Sequence, residues 1–375
     1  MRVFNEGFIV LFLVMLMMPL VFVDLSSDRV SVMENRMLAE RPKLADMRNH
    51  PGTFVRGFDT WFKDSTGFRE QLIKLYQMID KNKWLNAVVR YTDGKYVYLI
   101  GKKGHHYLAH VNGMLISKFQ GKQFLSDEQL ANMVNKLEEV KTYLDSKDIP
   151  IVVMFCTDKE SIYPEFYPKS IKRGPEPIQL DIITSYLQKN TSVDVFNIRQ
   201  ALQEEKNNYP LYNVSSGDLT HYTEIGAFFA YRELMKHINI HFPDIIPYNL
   251  NDIDISYDEN DIPEVSLKKE KTYIKLETSF IDDISRSFTW ELNVYKNIQL
   301  DLSTILFFHD SYAGEQYIGK YFAQHFGNAI FVHYSLLSYF KEIITHYKPD
   351  IVVFESAERE LGGFASYVAG IPELP

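Results

Sequence analysis

Two stretches hold residues whose types and spacing suit acyl-transfer chemistry. "SSGDLTHYTEIGAFF", residues 215–229, places Asp218 three positions before His221, on a loop leading into an amphipathic helix. "TILFFHDSYAGEQYIG", residues 304–319, runs an apolar strand into Asp310 and Ser311, with a helical pattern shortly after. A carboxylate on one imidazole nitrogen fixes the tautomer and leaves the other nitrogen to take a hydroxyl proton. A serine between a strand and a helix start sits near backbone N–H groups, as in a nucleophile elbow, although the G-x-S-x-G pattern is absent. Each stretch alone reads better as ordinary structure, with Asp218 or Ser311 capping a helix and His221 a surface or satisfied histidine.

The elements that must position these residues lie between Ile149 and the C-terminus. Apolar runs ("IPIVVMF", "VDVFNI", "TILFFHD", "NAIFVHY", "DIVVFES") alternate with helical stretches. This rhythm predicts an α/β fold, a parallel sheet flanked by helices on both faces, over residues 149–375. Ligands of such sheets bind beyond the carboxyl ends of the strands, where Ser311 is expected. Residues 245–300 are polar and β-leaning and break the rhythm, so they read as an insertion. Residues 26–148 read as a mainly helical lead. It contains a β-hairpin in "KYVYLIGKKGHHYLAH", turning at Gly101 to Gly104, and a helix capped by Ser126.

Composition narrows the function. With 40 Lys plus Arg against 49 Asp plus Glu, the 375-residue chain carries a formal charge of −9 and no basic block, which argues against nucleic acid as a partner. Hydrophobic residues make up 46%, enough for a packed core. The one cysteine, Cys156, leaves no disulfide framework and reads as a buried thiol in "IVVMFC". The adjacent His105 and His106 point to opposite faces of a strand and do not form a metal pair. "NDIDISYDENDIPE" lacks the glycine and spacing of a calcium loop. The proposed chemistry needs neither metal nor organic cofactor.

"FIVLFLVMLMMPLVFV", Phe8 to Val23, has no charge and would span about 24 Å as a helix, against about 30 Å of bilayer hydrocarbon. Without a clear small-residue cleavage site after it, residues 1–25 read as an uncleaved membrane anchor, with a signal segment as the alternative. Either way the rest of the chain is expected outside the cytoplasm.

The order Asp218, His221, Ser311, with "DLTHYTEIGA" and "FFHDSY", resembles the SGNH-hydrolase-like alginate O-acetyltransferase family, the AlgJ/AlgX or DHHW proteins. "ENRMLAERP", "DSTGFREQLIKLY", "CTDKESIYPEFYP" and "PDIVVFESAERELGGF" resemble family blocks in the same order. The chain departs from the D-x-H-W pattern: Leu219 holds the aligned acid position, Asp218 lies one residue earlier, Tyr222 replaces the tryptophan, and His309 stands where glycine is common. The resemblance implies a membrane-anchored, outward-facing O-acetyltransferase acting on a bacterial exopolysaccharide or cell-wall glycan. Ser311 would be nucleophile, His221 base and Asp218 the orienting acid, with backbone N–H groups of Ser311 or Tyr312 at the oxyanion. It also implies a polytopic membrane-bound O-acyltransferase as acetyl-donor partner. Lys159 and Arg359, placed after two other strands, are candidate substrate residues or salt-bridge partners; Tyr163 and Tyr222 are candidate sugar-stacking rings. A glycan acetyl esterase and a non-catalytic glycan-binding scaffold are the rival readings.

Overall fold

The computed structural model describes residues 30–31, 36–37, 39, 41–43, 47, 51–65, 89–92, 96–109, 114–122, 125–276, 292–300, 303–313 and 318–375. The apolar segment 8–23, expected as an anchor, lies outside them; among the described residues no helix is long and apolar enough to cross a membrane.

The chain divides into two compact units, residues 1–101, 108–112 and 168–170 in one and 102–107, 113–167 and 171–375 in the other. In the first, β1 (Val30–Ser31) pairs antiparallel with β2 (Arg36–Met37), and β3 (Val89–Thr92) with β4 (Tyr96–Ile100). A helix spans Pro51–Ser65 and buries Trp61, with the Phe58 and Trp61 rings 5.5 Å apart. The 3-10 turn Lys102–Gly104 and β5 (His106–Leu108) follow in the chain, with residues 102–107 counted in the second unit.

Among the described residues the second unit also holds β6 (Ile151–Cys156), β7 (Asp194–Asn197), β8 (Ile253–Tyr257), β9 (Pro263–Leu267), β10 (Tyr273–Leu276), β11 (Leu292–Asn297), β12 (Thr304–His309), β13 (Asn328–His333) and β14 (Ile351–Ala357). Seven form one sheet in the order β10-β11-β13-β12-β14-β6-β7. The five from β13 to β7 are parallel, as the apolar runs predict. Every residue of β6, β12 and β14 is buried, which is why these runs are continuously apolar instead of alternating. The expected insertion is not apart from the sheet. β11 joins β13 antiparallel and β10 joins β11, extending the sheet at one edge, while β8 and β9 form a separate hairpin. An antiparallel strand needs no crossover helix, so its polar, half-buried pattern does not show the rhythm of its parallel neighbours.

Helices cover both faces. On one, Met154, Phe307 and Val353 meet the helix Glu224–Ile238, whose Ile225, Phe228, Phe229 and Ile238 are buried. On the other, Phe155, Leu306 and Phe354 meet helices Asp127–Asp145 and Leu361–Ala369. Ser126 caps the first of these: its Oγ accepts from Gln129 N at 3.2 Å and its N–H donates to Gln129 Oε1 at 2.9 Å. The shared direction of the parallel strands brings the residues after β12, β14, β6 and β7 to one edge of the sheet, and the site is assembled there.

Candidate active site

The loop before helix Glu224–Ile238 is fixed by its own backbone and by capping. Thr223 is the N-cap, with Gly226 N donating to its Oγ1 at 3.3 Å, and Thr223 N donates to Leu211 O at 2.9 Å. Tyr212 and Tyr222 form an isolated antiparallel bridge. Gly217 has φ 69°, and a side chain there would meet Ile262 Cδ1 at 2.5 Å, so this turn favours glycine. Asn213 Nδ2 donates to Asp218 O at 2.9 Å and closes the loop.

Within that loop Asp218 folds over the next three residues. Its Oδ1 accepts from Thr220 N at 2.8 Å, Thr220 Oγ1 at 2.7 Å and His221 N at 3.3 Å. Its Oδ2 lies 2.6 Å from His221 Nδ1. The far nitrogen, Nε2, lies 2.7 Å from Ser311 Oγ, although 90 residues separate the two in sequence. Thus the three residues singled out in the sequence meet in one continuous hydrogen-bonded line. A carboxylate on Nδ1 is an acceptor only, so Nδ1 carries the proton and Nε2 is the acceptor facing the serine hydroxyl.

Ser311 stands on a turn tied down from beneath. Asp310 Oδ1 accepts from Tyr312 N at 2.9 Å and Oδ2 from Ala357 N at 2.7 Å, binding the turn to the end of β14. The Tyr312 N–H, one of the two expected oxyanion donors, is therefore occupied; among the described residues the Ser311 N–H has no acceptor. Below, Glu355 is fully buried, and burial together with the charge of Asp310 pushes its carboxyl well above the usual range. Burial also pulls His309 down to about 4, which keeps it neutral. Cys156 is fully buried and burial pushes its thiol up, so it is no nucleophile.

The other sequence candidates hold this framework. Tyr312 is completely buried; its Oη lies 2.9 Å from Thr220 O and 3.0 Å from Asp158 Oδ1, and its ring lies edge-on to His221 with centroids 4.9 Å apart. Arg359 Nη1 donates to Thr220 O and Asp158 Oδ1, both at 2.7 Å, and to Tyr312 Oη at 2.9 Å. Burial alone would lower the Arg359 pKa, but Tyr312, Asp158 and Asp310 outweigh it and raise it. Tyr222 is buried, with its Oη donating to Tyr312 O at 2.6 Å, so its ring is not open to a sugar. Lys159 Nζ is enclosed, donating to His106 O at 2.7 Å, Val214 O at 3.2 Å and Asn213 O; burial lowers it to about 7. Tyr163 is 7% exposed and its Oη accepts from Leu211 N at 3.3 Å. Lys159, Tyr163 and Tyr222 are therefore packed into the walls and the loop support, and Arg359 spans the space between loop and serine turn.

Thr220 and Asp310 carried no role in the sequence reading; Asp158 entered it only as a salt-bridge partner for Lys159 or Arg359, and it pairs with Arg359. Asp310 directly precedes the serine and Asp158 ends the β6 run, so each had a positional signal as a strand-end carboxylate. Thr220 had none beyond its place inside D-x-x-H.

Residues 118–247 match a family model described as an SGNH hydrolase-like domain, acetyltransferase AlgX. The match takes in Asp218 and His221 and ends before Ser311. Among solved structures the chain is similar to a DHHW family protein from Eubacterium siraeum, at 13% identity and TM-score 0.51, over 77% of this chain and 99% of that one. It is also similar to PatB1 of Bacillus cereus, at 12% identity and TM-score 0.48, over 74% and 97% of the two chains. A third is the O-acetyltransferase domain of Pseudomonas putida AlgJ, at 12% identity and TM-score 0.44, over 72% and 98%. No curated protein matches the sequence. The family-model match, with the fold shared with the DHHW family protein, supports the resemblance to AlgJ/AlgX-like DHHW proteins that the motifs carry.

Proposed function

From that resemblance and the geometry of the loop, we propose that the protein is an extracytoplasmic O-acetyltransferase. It moves an acetyl group through an acyl-Ser311 intermediate to hydroxyls of a bacterial exopolysaccharide or cell-wall glycan. The observation that carries this reading is the line Asp218 Oδ2, His221 Nδ1, His221 Nε2, Ser311 Oγ, with contacts of 2.6 and 2.7 Å.

Ser311 Oγ attacks the acetyl carbonyl while His221 Nε2 takes its proton, and Asp218 stabilises the imidazolium that forms. The developing oxyanion faces the Ser311 N–H, where one such donor is worth about 3–4 kcal/mol. Collapse returns the proton from Nε2 to the leaving oxygen and leaves acetyl-Ser311. A sugar hydroxyl then gives its proton to Nε2, attacks the ester carbonyl, and releases Ser311 as its oxygen regains that proton. General-base assistance of this kind contributes about 10²–10⁴ in rate. The acetyl donor reaches this side of the membrane through a membrane-bound O-acyltransferase partner, and the apolar segment 8–23 anchors the chain beside it.

Purified protein incubated with a chromogenic acetyl ester, with and without an acceptor oligosaccharide, tests the reading. Acetylated oligosaccharide should form, and a peptide containing Ser311 should carry one acetyl group in mass spectra of the quenched reaction. Ser311→Ala should abolish both with little change in melting temperature. Ester cleavage without any acetylated sugar would assign the site to an esterase. Wild-type levels of acetylated glycan in cells carrying Ser311→Ala would assign the protein to a scaffold.

A further inference from the structure

The active edge of the sheet carries a second group of side chains that the acyl-transfer line does not use. β12 and β13 run parallel with His309 opposite His333, so Asp310 and Tyr334 leave neighbouring strand ends. Helix Leu361–Ala369 begins with Glu360 as its N-cap residue. Glu360, Gly363 and Tyr367 follow one another at helical spacings of three and four, which places them on one face. A Cβ added at Gly363 would lie 3.3 Å from Glu360 Oε2 and 3.9 Å from Tyr334 Oη. The carboxyl and the phenol hydroxyl therefore converge over a residue without a side chain. The Tyr367 ring packs beside that of Tyr334, with centroids 4.7 Å apart and a tilt of 39°.

These groups are open to a ligand. Tyr367 is 39% exposed and Glu360 is half-buried, while Tyr334 buries its ring and brings its hydroxyl to the surface. Glu360 makes no side-chain cap bond, and among the described residues neither its carboxyl nor the Tyr334 hydroxyl has a hydrogen-bond partner. Burial, and then the charge of Asp310, raise both groups above their ordinary values; Arg359 and Lys118 act on Glu360 in the opposite sense without donating to it. Asp310 directly precedes Ser311, so the group lies beside the serine turn. A flat ring next to an acceptor-only carboxylate and a phenol that both donates and accepts matches a pyranose, which has an apolar C–H face and a rim of hydroxyls.

We propose that Tyr367, Tyr334 and Glu360 form the subsite for a pyranose unit of the acceptor glycan, stacked on Tyr367, with its hydroxyls on Tyr334 Oη and Glu360 and with Gly363 as the floor. The word acceptor rests on the acyl-transfer reading; the binding itself does not.

Titration calorimetry on full-length Ser311→Ala, which binds without turnover, with cellotetraose, chitotetraose and the acyclic polyol sorbitol tests this. At least one tetrasaccharide should bind saturably at one site, and sorbitol at least tenfold more weakly. In that background Tyr367→Ala should weaken the tetrasaccharide about tenfold, and Tyr367→Trp should retain it. Gly363→Leu occupies the floor without altering a polar group and improves helix propensity, so it should abolish binding at an undiminished melting temperature. In the transfer assay, Tyr367→Ala in the wild-type background should raise the acceptor KM at least fivefold with kcat within twofold. Binding of neither tetrasaccharide, equal affinity for sorbitol, or affinity unmoved by both Tyr367→Ala and Gly363→Leu would each overturn the assignment. Saturable binding in a protein that forms no acetylated sugar would keep the subsite and remove the transferase reading. Transfer with an acceptor KM indifferent to Tyr367→Ala and Gly363→Leu would do the reverse.

Discussion

Tyr222 Oη donates to the backbone carbonyl of Tyr312 across 2.6 Å, and the two rings meet edge to face at 89° with centroids 4.9 Å apart. Tyr222 directly follows His221 and Tyr312 directly follows Ser311. One hydrogen bond therefore spans the histidine loop and the serine turn immediately behind the 2.7 Å contact between Nε2 and Oγ. Tyr222→Phe keeps the ring packing and leaves a buried carbonyl without this donor, at a cost of about 1–3 kcal/mol. Chemical denaturation should read that loss. Because the bond sets His–Ser spacing and not substrate binding, kcat should fall while KM holds, and a variant with wild-type kcat would detach this bond from the chemistry.

Asp218 and Thr220 make a graded test of the acid. Asp218→Asn preserves size but replaces an acceptor-only group with one that can donate to Nδ1, which favours the wrong tautomer. A loss in kcat of about 10²–10⁴ is expected. Thr220→Val removes the hydroxyl that donates to Asp218 Oδ1 at 2.7 Å and lies 2.9 Å from His221 Nδ1. With the Asp218 side chain 39% exposed, water replaces part of that bond, so about a tenfold loss is expected. Steady-state ester turnover orders the two, and a Thr220→Val defect as deep as that of Asp218→Asn would point to collapse of the loop.

Much of the candidate site was legible because its residues sit at the ends of continuous apolar runs. β6, β12 and β14 are buried throughout, so their hydrophobicity marks them as central parallel strands, and the polar residues that follow mark the active edge. D-x-x-H places Asp218 and His221 one turn apart, which is local geometry. What periodicity does not encode is which distant groups share a hydrogen bond. Tyr222 and Tyr163 looked like sugar-binding rings because an aromatic near a site has the same signature whether it faces solvent or the core. Exposures of only 1% for Tyr222 and 7% for Tyr163 place both in the core. Lys159 beside Asp158 and Glu160 suggested salt bridges, yet its ammonium is held by three backbone carbonyls, whose positions depend on loops not adjacent in sequence. The antiparallel placement of β11 was hidden for a similar reason: a half-buried edge strand shows little pattern of its own.

The carboxyl beneath the Arg359 bridge should make stability depend on pH in an identifiable way. Burial, and then the charge of Asp158, raise Glu358 to about 7. In the unfolded chain it titrates near its ordinary value of about 4.5. Between these values the native state holds a proton that the unfolded state has lost, so this group's contribution to stability is fully present below about pH 4.5 and declines as pH rises toward 7. His105, His309 and His325, each lowered to about 4 by burial, act in the opposite sense between about pH 4 and 6.5. The difference between wild type and Glu358→Gln isolates the carboxyl. Urea unfolding at both ends of the window should show the variant gaining up to about 3 kcal/mol on wild type as pH rises. A flat difference would place the Glu358 proton elsewhere.

Gly226 offers a test in which two physical effects have opposite signs. It sits in the first turn of helix Glu224–Ile238, where exchanging glycine for alanine ordinarily stabilises by about 1 kcal/mol. Here an added Cβ would lie 2.6 Å from Leu211 O and 2.8 Å from Tyr222 Cβ. Leu211 O is also the acceptor for Thr223 N, so the methyl would push on the strand-like segment that carries the histidine loop. Overpacking of this kind costs about 1–3 kcal/mol, and the contact atoms are backbone and Cβ, which have no rotamer to move into. Gly226→Ala should therefore lower the unfolding free energy instead of raising it. Its kcat should fall along with stability, because relief requires Tyr222, and with it His221, to move away from Ser311. If the variant is more stable than wild type with unchanged turnover, the close approach of Leu211 to this helix is not what holds the imidazole in place.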